Sequence, residues 1–171
     1  MKFIKIISGV VLLTVVCLLL IGVFVPETHY ELEVKVERPR QEVFSIFNKP
    51  ETMPHWIEGF KSMELLSGAQ GKNGATYRMT VVNDGKEISV TQNVVKQIEA
   101  ESCEYLVTDE NMSNKVLITF EDEGAGTVIH VSKYFKGRKM LSRCMLPLLN
   151  SSLRDQDVRQ FNMLKAYIEH R

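Results

Sequence analysis

The stretch Tyr30-Glu31-Leu32-Glu33-Val34-Lys35-Val36-Glu37-Arg38-Pro39-Arg40-Gln41-Glu42-Val43-Phe44-Ser45-Ile46-Phe47 decides the fold. From Tyr30 to Glu37 apolar and charged residues alternate without a break, the period of a strand with one buried face. Pro39 ends that strand, because proline has no N–H for a ladder. The apolar period then changes. Val43, Phe44 and Phe47 fall at helical spacing, which predicts a short amphipathic helix over Gln41 to Phe47. Pro50 to Trp56 carries two prolines and reads as a second short helical turn or a bent segment.

Downstream, Gly- and Asn-rich breaks recur at Ser67-Gly68, Gly71 to Gly74, Asn83-Asp84-Gly85, Asp109 to Asn114 and Gly124 to Gly126. The segments between them have strand length and period. Strands are expected at Gly59 to Leu66, Ala75 to Val82, Lys86 to Ile98, Cys103 to Thr108, Lys115 to Glu121 and Thr127 to Phe135. Asn83-Asp84-Gly85 predicts a tight hairpin, since Asp-Gly adopts positive φ at little cost. From Met140 the period changes again. Leu141, Met145, Leu148, Leu149, Leu153, Val158, Phe161, Leu164 and Ile168 step by three, four and seven, which predicts one long amphipathic helix to Arg171. Pro147 should delay its start or kink its first turns. A single sheet of this size needs one face covered, and the last helix is the only long cover in the sequence.

The N-terminal flank is different in kind. Ile6 to Val25 is twenty residues without a charge and without a polar stripe. As a helix it would span roughly 30 Å, the hydrocarbon thickness of a bilayer. It is longer than a signal-peptide core, and Gly22 to Pro26 is a poor cleavage site. It therefore reads as an uncleaved anchor, residues 1–26, ahead of a domain at 27–171. Pro26-Glu27-Thr28 reads as a short linker. Lys2 and Lys5 precede the span, which orients the N-terminus to the cytoplasm and the domain away from it. The whole chain of 171 residues carries 21 basic and 21 acidic side chains. No basic excess exists for nucleic acid, so no nucleic-acid partner is expected.

These pieces, in this order, resemble the helix-grip fold of the START-like superfamily, also called SRPBCC, with its polyketide cyclase/dehydrase-like branch the most similar. The resemblance covers about Tyr30 to Arg171. It rests on Val36-Glu37-Arg38-Pro39 followed by Glu42-Val43-Phe44, on the spacing of Pro50 and Trp56, on Gly74-Ala75 and Gly126-Thr127 before strands, and on Leu164-Lys165 with Glu169. It implies an α+β fold: a curved antiparallel sheet wrapped around a long C-terminal helix, two short helices between the first two strands, and an apolar cavity between sheet and helix. It brings no catalytic signature.

Common catalytic and phosphate-binding motifs are missing from the sequence, and the four histidines are scattered rather than set at ligand spacing. No catalytic residue, metal or cofactor is assigned. The cavity candidates are Trp56, Tyr77, Met79, Gln92, Tyr105, Phe120 and His55. Gln92 is notable because it continues the apolar phase of Ile88, Val90 and Val94, and a buried amide needs a partner. His55 precedes the only tryptophan, near the expected cavity mouth; its ordinary reading is a surface histidine. His130 alternates with Ile129 and Val131 and should face outward, as should Arg78. Cys103 and Cys144 would pair only if the fold brought them together. Three functions fit: a membrane-tethered binder of an apolar small molecule or lipid, a cyclase- or dehydratase-type enzyme, or a protein-interaction module. The first explains both the cavity and the anchor.

Overall fold

A computed structural model describes residues 2–25 and 27–171. Helix α1 runs Lys2–Phe24 and is followed by strand β1, Glu27–Val36. Helix α2, Arg40–Phe47, and a short 3-10 helix, Pro50–His55, come next. Six strands follow: β2 Phe60–Ser67, β3 Thr76–Asn83, β4 Lys86–Ile98, β5 Ser102–Thr108, β6 Met112–Glu123 and β7 Gly126–Gly137. Helix α3, Met140–Glu169, closes the chain.

All seven strands form one antiparallel sheet in the order β1-β7-β6-β5-β4-β3-β2. Each of β2 to β7 pairs with its sequence neighbour, and β1 returns to pair with β7. The period-two expectation holds in detail on β1, where Tyr30, Leu32, Val34 and Val36 are buried and Glu31, Glu33 and Lys35 are exposed. Between β3 and β4 the register closes at Asn83 opposite Lys86, with Asp84 at φ 49° and Gly85 at φ 74°. Two consecutive positive φ values make this the expected primed turn.

Helix α3 lies on the concave face of the sheet and buries Phe161, Leu164 and Ile168 there. Its C-terminal end is tied to the end of β1. Glu169 Oε1 accepts from the Glu37 N–H at 2.8 Å, and its backbone carbonyl accepts from Arg38 at 3.0 Å. Thr127 Oγ1 donates to the Arg38 carbonyl at 2.7 Å, fixing the same corner from β7. The two short helices close the core from one end. Phe44 and Phe47 of α2 pack on Phe120 with ring centroids 5.4 and 5.6 Å apart, and Phe47 stacks on Trp56 at 5.3 Å.

Two local expectations are corrected. Glu27 and Thr28 belong to β1, opposite Lys136 and Phe135, rather than to a linker; Pro26 lies outside the described residues. The Glu27–Lys136 ion pair at 2.7 Å helps hold that added strand end. Of the two effects expected of Pro147, the delayed start does not occur, since α3 starts at Met140. Proline withholds one N–H from the Arg143 carbonyl, but the first turns are supported by α1. Gly22 of α1 meets Cys144 so closely that a Cβ there would lie 3.1 Å from the Cys144 nitrogen. Ile6–Phe24 is, among the described residues, the one helix long and apolar enough to cross a membrane.

Candidate functional site

The concave face and α3 do not fill the space between them. A cavity of about 310 Å³ remains, bounded by β2 to β7, the Pro50–His55 turn, the β2–β3 loop and the middle of α3. Its walls follow from strand parity. Tyr77, Met79 and Val81 line it from β3, Gln92 and Val94 from β4, Tyr105 and Val107 from β5, and Val116 and Ile118 from β6. These are alternate residues on each strand, all on the inward phase. Gln156 and Gln160, one turn apart, and Phe161 face it from α3.

Five of the seven candidates line this cavity: Trp56, Tyr77, Met79, Gln92 and Tyr105. Phe120 does not. It is 1% exposed and sealed beneath Phe44 and Phe47, so it is core. His55 does not line the cavity either. Its ring turns outward and stacks on Tyr167 at 4.6 Å, one residue short of the inward-facing Trp56. His130 faces outward between Glu33 at 3.0 Å and Glu121 at 3.6 Å, and Arg78 reaches Glu64 at 3.4 Å on the outer face.

Several lining groups are already committed. Tyr105 O–H donates to Asn48 Oδ1 at 3.1 Å. The Tyr77 hydroxyl accepts from the Gly71 N–H at 2.7 Å, which holds the β2–β3 loop over the cavity and leaves its own hydrogen available. Burial raises the pKa of Tyr105 and of Cys103 above their ordinary values, so both keep their protons at neutral pH. Cys103, on β5, and Cys144, on α3, are buried and free.

Two lining atoms have no partner among the described residues: Trp56 Nε1 and Asn114 Oδ1, both buried. A third group has an unusual one. Lys133 enters the cavity wall from β7, its side chain only 15% exposed, and its Nζ lies 2.6 Å from Asp157 Oδ2. Asp157 also accepts from Tyr30 O–H at 2.5 Å. Asn114 and Lys133 are absent from the sequence candidates although the sequence carries a signal for both. Asn114 shares the inward phase of Val116 and Ile118, and Lys133 that of Ile129 and Val131. Gln92 was found by that same test.

Sheet, helix and cavity together define a helix-grip α+β domain of the START-like superfamily. The chain belongs to the family described as Activator of Hsp90 ATPase homolog 1-like protein, whose profile matches residues 37–143. Among solved structures, Ara h 8.0201 superposes with a TM-score of 0.70 at 20% identity, covering 85% of this chain and 99% of its own. The di-domain ARO/CYC StfQ from the steffimycin biosynthetic pathway gives 0.69 at 12% identity, covering 84% of this chain and 52% of its own. Protein CV1439 from Chromobacterium violaceum gives 0.64 at 16% identity, covering 82% and 96%. At these identities the likeness is one of fold. A comparison with curated proteins finds no match.

Proposed function

We propose that this protein is a membrane-tethered binder of an apolar small molecule, held in the cavity between the sheet and α3. The observation that carries the reading is the wall itself: an open space about 310 Å³ in size, mostly apolar, with two buried polar atoms that lack partners among the described residues. Buried polar groups are ordinarily hydrogen-bonded, so these two atoms call for partners that a bound guest can supply. Trp56, Tyr77, Met79, Gln92 and Tyr105 are the proposed contacts. Trp56 and Tyr77 offer hydrogens, Gln92 offers either sense, and Met79 and the tyrosine rings supply apolar surface.

In this reading residues 1–26 anchor the chain and 27–171 form the binding domain, facing away from the cytoplasm. The tether keeps the domain beside a membrane reservoir of apolar molecules, raising the effective concentration without any new contact. At about 310 Å³ the cavity sits at the small end of the range for ligand pockets, which suits a compact guest.

The test is native mass spectrometry of the full chain released from detergent. The expected result is a small-molecule adduct on the wild type that disappears in Met79→Trp, which fills the cavity. An adduct equally abundant on both would place the guest elsewhere and refute the site.

A further inference from the structure

The wall shared by β6, β7 and α3 carries polar groups that a purely apolar guest leaves unused. Register sets Val116 opposite Lys133 and Asn114 opposite Phe135. Asn114 and Lys133 are therefore diagonal neighbours on the concave face, about 7–8 Å apart at the backbone and within reach of each other's longer side chains. Lys133 Nζ gives one hydrogen to Asp157 and keeps two more. Asn114 Oδ1 is buried and accepts nothing among the described residues. The wall thus presents a donor and an acceptor from diagonally adjacent positions.

We propose that this wall binds the hydroxyl group of an uncharged guest, whose oxygen accepts from Lys133 Nζ and whose hydrogen goes to Asn114 Oδ1. The inference rests on the cavity-binding reading and narrows its ligand class. A hydroxyl is the smallest group that meets both needs. A carbonyl accepts from Lys133 and leaves Asn114 Oδ1 unmet. A carboxylate does the same and adds a charge to a wall where Asp157 already neutralises Lys133, so it is desolvated without compensation. An ammonium suits Asn114 and is repelled by Lys133. The class selected is a compact hydroxylated hydrocarbon, such as a phenol or a short alcohol, and not a fatty-acid anion.

The test uses the full chain in nanodiscs with 13C-methyl methionine. Met53, Met63 and Met79 line the cavity, while Met140, Met145 and Met163 are exposed elsewhere and report partition into lipid. The probes are 2-naphthol, naphthalene and 2-naphthoate at neutral pH. The expected result is that 2-naphthol shifts the three cavity methyls with an affinity about tenfold above either other probe, one shared hydrogen-bonding group being the difference. Asn114→Leu keeps the shape, removes the acceptor and brings 2-naphthol down to the level of naphthalene. Lys133→Met combined with Asp157→Leu does the same without stranding a buried charge. If a variant fails to fold, the wild-type ranking decides. Equal binding of 2-naphthol and naphthalene, or tightest binding of 2-naphthoate, overturns the hydroxyl assignment while the cavity reading stands. No shift of the three cavity methyls with any probe overturns both.

Discussion

Replacing Lys133 alone by methionine strands a buried carboxylate, and the size of the effect reports how dry the cavity wall is. Lys133 and Asp157 have side chains 15% and 9% exposed and approach to 2.6 Å. At an effective dielectric of about 20 their attraction is about 6 kcal/mol. Removing two ions from water costs several kcal/mol each, so the intact pair contributes little net stability. Lys133→Met removes the attraction and leaves the desolvation of Asp157 in place, with only the Tyr30 hydroxyl to offset it. The expected loss is about 3–5 kcal/mol, or about 10 °C in Tm for a chain of this size. Lys133→Met with Asp157→Leu and Tyr30→Phe removes every member of the cluster and should return stability to within about 1 kcal/mol of wild type. Trp56, the sole tryptophan and 4% exposed, supplies the fluorescence signal for urea unfolding of the full chain in detergent. A cost under about 1 kcal/mol for Lys133→Met alone would mean that water reaches Asp157. The dry wall, and the choice of a neutral guest, would then be wrong.

Stability should fall at alkaline pH. Burial raises Tyr30 and Tyr105 above their ordinary 10.0 and Cys103 above 9.0. The native state therefore keeps protons that the unfolded chain releases. Stability is full below about pH 9 and falls above it by about 1.4 kcal/mol per pH unit for each group titrating only in the unfolded chain. Tyr105→Phe should flatten the slope by one proton, and a urea midpoint unchanged from about pH 8 to about pH 11 would contradict this. Gly59→Ala should prevent stable pairing of β2 with β3, because at φ +68° its Cβ would collide with the Val82 carbonyl. Gly85→Ala, at φ +74° with open space around it, should cost only about 1 kcal/mol in the same urea assay. Protease added outside sealed, right-side-out vesicles should digest residues 27–171 and spare α1; full protection would reverse the proposed orientation.

Much of this architecture was legible because two periods dominate the sequence. Lys86 to Ile98 could be bounded to the residue because Asp84-Gly85 precedes it and a polar turn follows. Strand ends set by distant pairing were harder. β6 begins at Met112, where the Asp109 carboxylate accepts from the Asn111 and Met112 N–H groups, and nothing in Asn111-Met112-Ser113 alternates. β1 begins early because Lys136 is opposite Glu27, which only the folded sheet makes visible. The cavity candidates on strands were legible by phase, and Phe120 failed only because phase does not distinguish a filled layer from an open one. His55 failed because a turn, unlike a strand, gives no rule for where the next side chain points. The Lys133–Asp157–Tyr30 cluster joins β7, α3 and β1, and its members reveal their kinship only once those elements are packed.

Val107→Phe tests, without knowledge of the guest, whether the space beneath α3 is open. Val107 faces the cavity from the inward phase of β5. If the space is open, the added ring buries apolar surface and raises the Tm of the full chain while abolishing adduct formation. If the space is filled by the protein's own side chains, the same substitution overpacks the core, costs about 1–3 kcal/mol and lowers the Tm.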